Sequence, residues 1–121
     1  LLALRSEAAA RYGRLLADVD VELLCGDDDE HRRSWFVYVV ALPRGVDRAR
    51  VMDELRAAGI GTAEYVPCVH LQPYMRETYG FAEGLCPVAE DFASRSIALP
   101  FYPQLEAEDQ ERVVETLCAA L

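Results

Sequence analysis

The chain has 121 residues, 52% of them hydrophobic and 27% charged, proportions that suit one globular domain with a core and exclude a disordered polymer. Its net charge of −9 comes from 21 acidic and 12 basic residues; the basic ones are all arginines and lie scattered, which argues against a nucleic-acid partner. Lys and Asn are absent and Ile is nearly so, a codon bias expected of a high-GC genome.

Leu1-Leu2-Ala3-Leu4 lacks an initiator Met and is broken at once by Arg5 and Glu7, so neither a signal peptide nor a membrane span is expected there. The simplest expectation is a cut helix, with residue 1 lying inside a longer protein. Leu1, Leu4, Ala8, Tyr12, Leu15 and Leu16 recur at helical spacing and predict a helix to about residue 18. Asp18 to Cys25 reads as a minor strand and Gly26 to Glu30 as a solvated acidic turn, without the ligand spacing of a calcium loop. Trp35 to Leu42 (WFVYVVAL) is β-branched and aromatic on both faces and predicts a central, doubly covered strand.

Asp47 then caps a helix carrying Val51, Met52, Leu55 and Ala58 on one face, which Gly59 terminates in a left-handed conformation, with Ile60 as its apolar contact. Gly61 to Val66 predicts a second strand stopped by Pro67. Pro73 opens a short helix to Tyr79, terminated by Gly80; Phe81 to Leu85 is a loop; Pro87 starts a helix with Val88 and Phe92 on one face. Ser96 to Leu99 is a short strand ended by Pro100. The last helix runs from about Glu106 to Leu121, with Val113, Val114, Leu117 and Leu121 inward. Helices packed on a small sheet follow, of class α/β or α+β.

Few residues carry chemistry. His70, between Pro67 and Pro73 just past a strand end, suits a general base, a substrate contact or a hydrogen-bonded loop histidine. Tyr65, Tyr74, Tyr79, Phe81, Phe101 and Tyr102 fall in the second half, either as ring-binding walls or as half-buried packing. Glu90-Asp91 and Glu106 to Glu111 read as helix-surface charge, and His31 as a surface residue. Cys25, Cys68, Cys86 and Cys118 form no C-x-x-C pair; Cys68-x-His70 with Cys86 lacks a paired-ligand zinc signature, and reduced thiols in the cytoplasm are expected.

Nine pieces in order carry a resemblance: Ala8-Ala9-Ala10-Arg11-Tyr12, Ser34-Trp35-Phe36-Val37-Tyr38, Gly45-Val46-Asp47-Arg48, Gly59-Ile60-Gly61-Thr62, His70-Leu71-Gln72-Pro73-Tyr74, Phe81-Ala82-Glu83-Gly84, Cys86-Pro87-Val88-Ala89-Glu90, Ala98-Leu99-Pro100-Phe101-Tyr102-Pro103 and the terminal helix. Together they resemble the C-terminal small domain of the DegT/DnrJ/StrS-type family of pyridoxal-phosphate (PLP) sugar aminotransferases. The resemblance implies a single small domain over 1–121, with 1–17 as the end of an interdomain helix. It also implies a large domain that holds PLP on a Schiff-base lysine, a homodimer, and amino transfer, usually from glutamate, to a keto-sugar nucleotide. PLP-dependent dehydration, known in some relatives, is not separable from amino transfer on these residues.

Without lysine this chain is expected to be inactive alone, with no catalytic, cofactor-binding or metal residue of its own. The resemblance puts His70 near the active-site mouth, with Tyr65 and Tyr74 as further substrate contacts. Two positions depart from the family pattern: Ala63-Glu64 stands where Arg-Pro is common before Tyr65, and Leu105-Glu106 replaces a Ser or Thr cap, costing about 1 kcal/mol. A fragment of such an enzyme predicts exposed apolar surface on residues 1–17 and the inner sheet face. A stand-alone interaction module with the same fold predicts polar cover there. A functionless gene remnant is the third reading.

Overall fold

The β-branched run around Val39 and Val40 sets the centre of the fold, and a computed structural model describes residues 1–24, 26–65 and 67–121 around it. Strand β2 (Tyr38–Ala41) is buried at every position. It lies between β1 (Glu22–Leu23) and β4 (Ser96–Leu99), and β3 (Ala63–Glu64) completes the order β1-β2-β4-β3. All pairings are antiparallel, with Tyr38 opposite Leu99 and Ala41 opposite Ser96. The mixed helix–sheet class is as expected, and the antiparallel ladder makes the arrangement α+β.

The strands are shorter than the sequence predicts. Trp35 has φ +26, incompatible with an extended ladder, so the strand starts at Tyr38, on whose ring the Trp35 indole stacks at 5.6 Å. The expected strand from Gly61 narrows to Ala63–Glu64. Val66 and Cys25, which ended two expected strands, lie outside the described residues.

Helices α1 (Leu2–Leu15), α2 (Arg48–Ala57) and α5 (Ala107–Ala120) cover one sheet face. Tyr12, Leu16, Val40, Val51, Met52, Leu55, Ile97, Val113, Val114 and Leu117 meet there in one core. Helix α4 (Pro87–Arg95) packs against β2, so Val39 and Ala41 are buried as well. Asp47 caps α2 by accepting from the Arg50 amide at 3.2 Å, and Gly59 ends it at φ +80 while the Ile60 amide donates to the Leu55 carbonyl at 2.9 Å. Glu106 supplies no side-chain cap to α5, as its replacement of Ser or Thr implies.

Within the span expected to be surface charge, Gln110 is fully buried. Its Nε2 donates to the Ala8 carbonyl at 2.9 Å, and its Oε1 accepts from Arg11 Nη1 at 2.7 Å. Arg11 also donates to the Leu105 carbonyl at 3.1 Å. Position 110 faces α1 between the turns that bury Val113 and Val114, so its amide is enclosed by helix spacing and must be satisfied internally. Tyr12 donates to the Pro100 carbonyl at 2.9 Å, and burial pushes its hydroxyl well above the usual phenol range.

Candidate functional site

Pro67 and Pro73 bracket a segment that cannot continue as sheet or helix, and the chain crosses it in a 3-10 turn, Val69–Leu71, that residue spacing does not announce. The Leu71 amide donates to the Cys68 carbonyl at 3.1 Å and the Gln72 amide to that of Val69 at 3.1 Å. Pro73 then occupies the first turn of α3 (Pro73–Tyr79), and Gly80 ends it at φ +69.

His70 sits inside this turn with its side chain only 12% exposed, and its Nε2 lies 2.7 Å from Glu90 Oε1. A carboxylate only accepts, so Nε2 carries the hydrogen and Nδ1 is the ring's remaining functional atom. Glu90 also accepts from the amides of Gly84 at 2.8 Å and Cys86 at 3.0 Å. These amides precede α4, whose first position is proline, so the Glu90 carboxylate reaches back over the helix start to satisfy them. The Gly84 amide, then the His70 ring, then the Cys86 amide hold the Glu90 carboxyl below the usual range.

Glu90 and Asp91 are thus not plain surface charge. Asp91 pairs with Arg44 at 2.9 Å and Arg95 at 3.0 Å, and those two guanidiniums, Arg44 first, lower its pKa. Arg95 donates on to the Leu42 carbonyl at 2.8 Å, and Arg48 donates to the Ala93 carbonyl at 2.7 Å while pairing with Glu64 at 3.1 Å. Carboxylates and guanidiniums therefore hold α4 to the sheet. The one sequence signal was Glu90 placed one turn inside a helix begun by proline, which marks its contacts to the Gly84 and Cys86 amides but not the pairing with His70 or of Asp91 with Arg44.

The three residues expected to contact substrate have different surroundings. Tyr74 is exposed and packs edge-on to Tyr79 at 6.4 Å, and Tyr79 stacks on Phe81 at 5.4 Å. Tyr65 lines a groove of about 450 Å³ with Arg32 to Val37. His70 is engaged with Glu90. Phe101 belongs to the core, 6.0 Å from Tyr38, and Tyr102 is exposed.

Apolar side chains also point outward. Val69, Tyr74, Tyr79, Leu85 and Val88 are exposed along α3, α4 and their loops. Val88 and Phe92 do share a face, an almost wholly apolar one with Cys86, Pro87 and Ala89, but Val88 is 83% exposed on it. Of the apolar surface expected on residues 1–17 and the inner sheet face, only Leu1, Leu2 and Leu4 at the start of α1 are exposed; Ala8, Ala9, Tyr12 and Leu16 are buried and the central strand is covered on both sides, so the expected open sheet face is not found. Among the described residues no group of three or more His, Cys, Asp and Glu side chains could hold a metal, and no helix is long and apolar enough to cross a membrane.

A family model described as the DegT/DnrJ/EryC1/StrS aminotransferase family matches residues 1–118. The chain is 28% identical over 117 residues to the spore coat polysaccharide biosynthesis protein SpsC of Bacillus subtilis, covering 93% of this chain and 30% of that protein. Among solved structures it is similar to DesV of S. venezuelae in complex with a ketimine intermediate, with 31% identity, a TM-score of 0.80, and coverage of 95% of this chain and 30% of that one. A Streptococcus pneumoniae protein described as a sugar aminotransferase, in its PLP-form, shares 26% identity over 99% of this chain and 31% of its own, with a TM-score of 0.85. The chain thus spans about 30% of the length of the relatives it matches.

Proposed function

Because the chain belongs to the DegT/DnrJ/EryC1/StrS aminotransferase family, we propose that it is the C-terminal small domain of a PLP-dependent sugar aminotransferase, with 1–17 ending the interdomain helix. The whole protein moves an amino group from glutamate to a keto-sugar nucleotide, works as a cytoplasmic homodimer, and holds PLP on a large domain. The observation that carries this reading is the exposed apolar start of α1 at Leu1, Leu2 and Leu4, where a stand-alone module is expected to have polar cover; the sheet face expected to share that surface is covered, and Val69, Leu85 and Val88 add exposed apolar area elsewhere.

PLP does not fit this chain as a covalently held group, because the chain has no lysine. Its contribution is to close over the site and orient substrate. His70, held by Glu90 through Nε2, offers Nδ1 to the substrate, with Tyr65 and Tyr74 as further contacts.

The test is amino-sugar formation from glutamate and keto-sugar nucleotides by the full-length protein, followed by mass spectrometry, beside the isolated chain with PLP. Transfer by the full-length protein, and neither transfer nor an imine absorbance from the chain alone, is expected. Transfer by the chain alone, or dehydration without amination in the full-length protein, overturns the reading.

A further inference from the structure

No described residue from 61 to 95 is buried. Leu71, Met75 and Phe81 are half-buried, yet none of them belongs to the main core or packs against it. The hydrogen bonds draw a boundary inside this stretch. From 67 to 85 the backbone bonds close on the segment itself: Leu71 donates to Cys68, Gln72 to Val69, Gly80 to Arg76 and Leu85 to Ala82. The Gln72 side chain also donates to the Cys68 carbonyl. Among the described residues, the one group outside the segment that accepts from it is the Glu90 carboxylate. That carboxylate takes His70 Nε2 at 2.7 Å and the Gly84 amide at 2.8 Å, together with the Cys86 amide at 3.0 Å just beyond.

The two partners of this contact are anchored differently. Glu90 stands on α4, which is tied down independently by Asp91 to Arg44 and by Arg95 to the Leu42 carbonyl. The segment that carries His70 has no second tie of that kind. It reaches α4 through Gly80 at φ +69 and Gly84 at φ +89, and a Cβ at either glycine would meet no atom within 4 Å, so the link is surrounded by open space. Helix α3 has only seven residues, too few to be stable in water by itself, so it keeps its form only while docked.

We propose that residues 67–85 form an arm that docks and undocks as one unit, with Glu90 as its latch and as the positioning residue for His70. Docked, the carboxylate holds the Nε2 hydrogen and fixes the ring, which leaves Nδ1 as an acceptor. Undocked, both ring tautomers are open and α3 frays, while α4 and the core stay folded. Hydrogen bonds to a charged acceptor are the stronger kind, so three on one carboxylate can hold a segment that buries no side chain. The use of Nδ1 toward a substrate rests on the aminotransferase reading; the latch itself does not.

Hydrogen exchange of the purified chain, followed by NMR, tests the arm, and the ring-nitrogen shifts of His70 test the positioning. The amides of Leu71, Gln72, Arg76 and Gly80 should exchange together and well before those of Leu55 and Leu117. In Glu90→Ala the exchange of the arm should quicken by about tenfold or more, and the His70 ring should pass from the Nε2–H form to a mixture of tautomers. Leu55 and Leu117 should be unaffected. Glu90→Gln keeps one oxygen to accept the Nε2 hydrogen and should restore the ring form and part of the protection. Asp91→Ala, which releases Arg44 and Arg95 instead, should change neither readout. Exchange of the arm in step with Leu117, an unchanged ring in Glu90→Ala, or an equal response to Asp91→Ala overturns the proposal. Global unfolding of Glu90→Ala by circular dichroism overturns it too, since the core owes nothing to the latch. Failure of the latch leaves the aminotransferase reading standing, and absence of amino transfer by the full-length protein leaves the latch standing.

Discussion

The α1–α2–α5 side of the sheet and the α3–α4 side are built on opposite terms. The first buries aliphatic side chains from three helices against Val40 and Ile97, and its one buried amide, Gln110, is fully satisfied. The second contains no fully buried residue in either helix and is held by Glu90, Asp91 and the guanidiniums of Arg44 and Arg95, while its apolar side chains face outward. Apolar burial is non-directional and fixes a global fold, whereas pairs of charged and polar groups, from the half-buried Arg95–Asp91 to the exposed Arg44–Asp91, fix local geometry. The difference teaches that one side carries the stability of the chain while the other leaves apolar side chains open to solvent.

The sharpest way to break that division is at its strong end. Leu55→Ala, fully buried in the core, should destabilise the chain by about 3 kcal/mol in denaturant unfolding. Gln110→Leu should cost about 1 kcal/mol, because it removes the side-chain donor to the Ala8 carbonyl and leaves the Arg11 guanidinium with only the Leu105 carbonyl. If either variant unfolds like the parent chain, stability does not reside on this side.

How much of this was legible in the residues follows from the same division. Where burial decides, periodicity was enough: the faces of α2 and α5, the doubly covered β2 and the Asp47 and Gly59 helix ends appear as the pattern requires. Where long-range polar pairing decides, it was not. The Glu90–His70 bond spans 20 positions and the Arg11–Gln110 bond 99, and neither leaves a local signature. His70 itself could be singled out by its bracketing prolines, but its 3-10 turn and its partner could not. Tyr65 could be named, yet the groove it lines is made by a segment some thirty positions earlier whose positive φ at Trp35 breaks an otherwise strand-like run.

Acid should loosen the second side first. Glu90 has a depressed carboxyl pKa in the folded chain, so its contribution is complete above the ordinary value of 4.5 and is lost as pH falls through the depressed value. The amide shifts of Gly84 and Cys86, followed by NMR, should titrate with a midpoint below 4.5 while the core signals of Leu117 stay unchanged. His70→Ala removes one of the causes of the depression and should move that midpoint upward. A midpoint at or above the ordinary value would show that the Glu90 staple does not form.

The smallest effect tests the outward face. Val88 is 83% exposed on an apolar surface, so in the isolated chain Val88→Ser removes almost no buried area and should change stability by less than about 0.5 kcal/mol. The same exposed surface should make the parent chain less soluble than the variant, since a contiguous apolar patch promotes association when nothing covers it. In the full-length protein the expectation reverses: if α4 docks on a large domain, Val88→Ser removes apolar area from a closed interface and lowers its thermal stability. A variant that is silent in both contexts would mean that nothing docks on this part of α4, and the contrast between a core-bearing side and a covered side would reduce to a difference in packing alone.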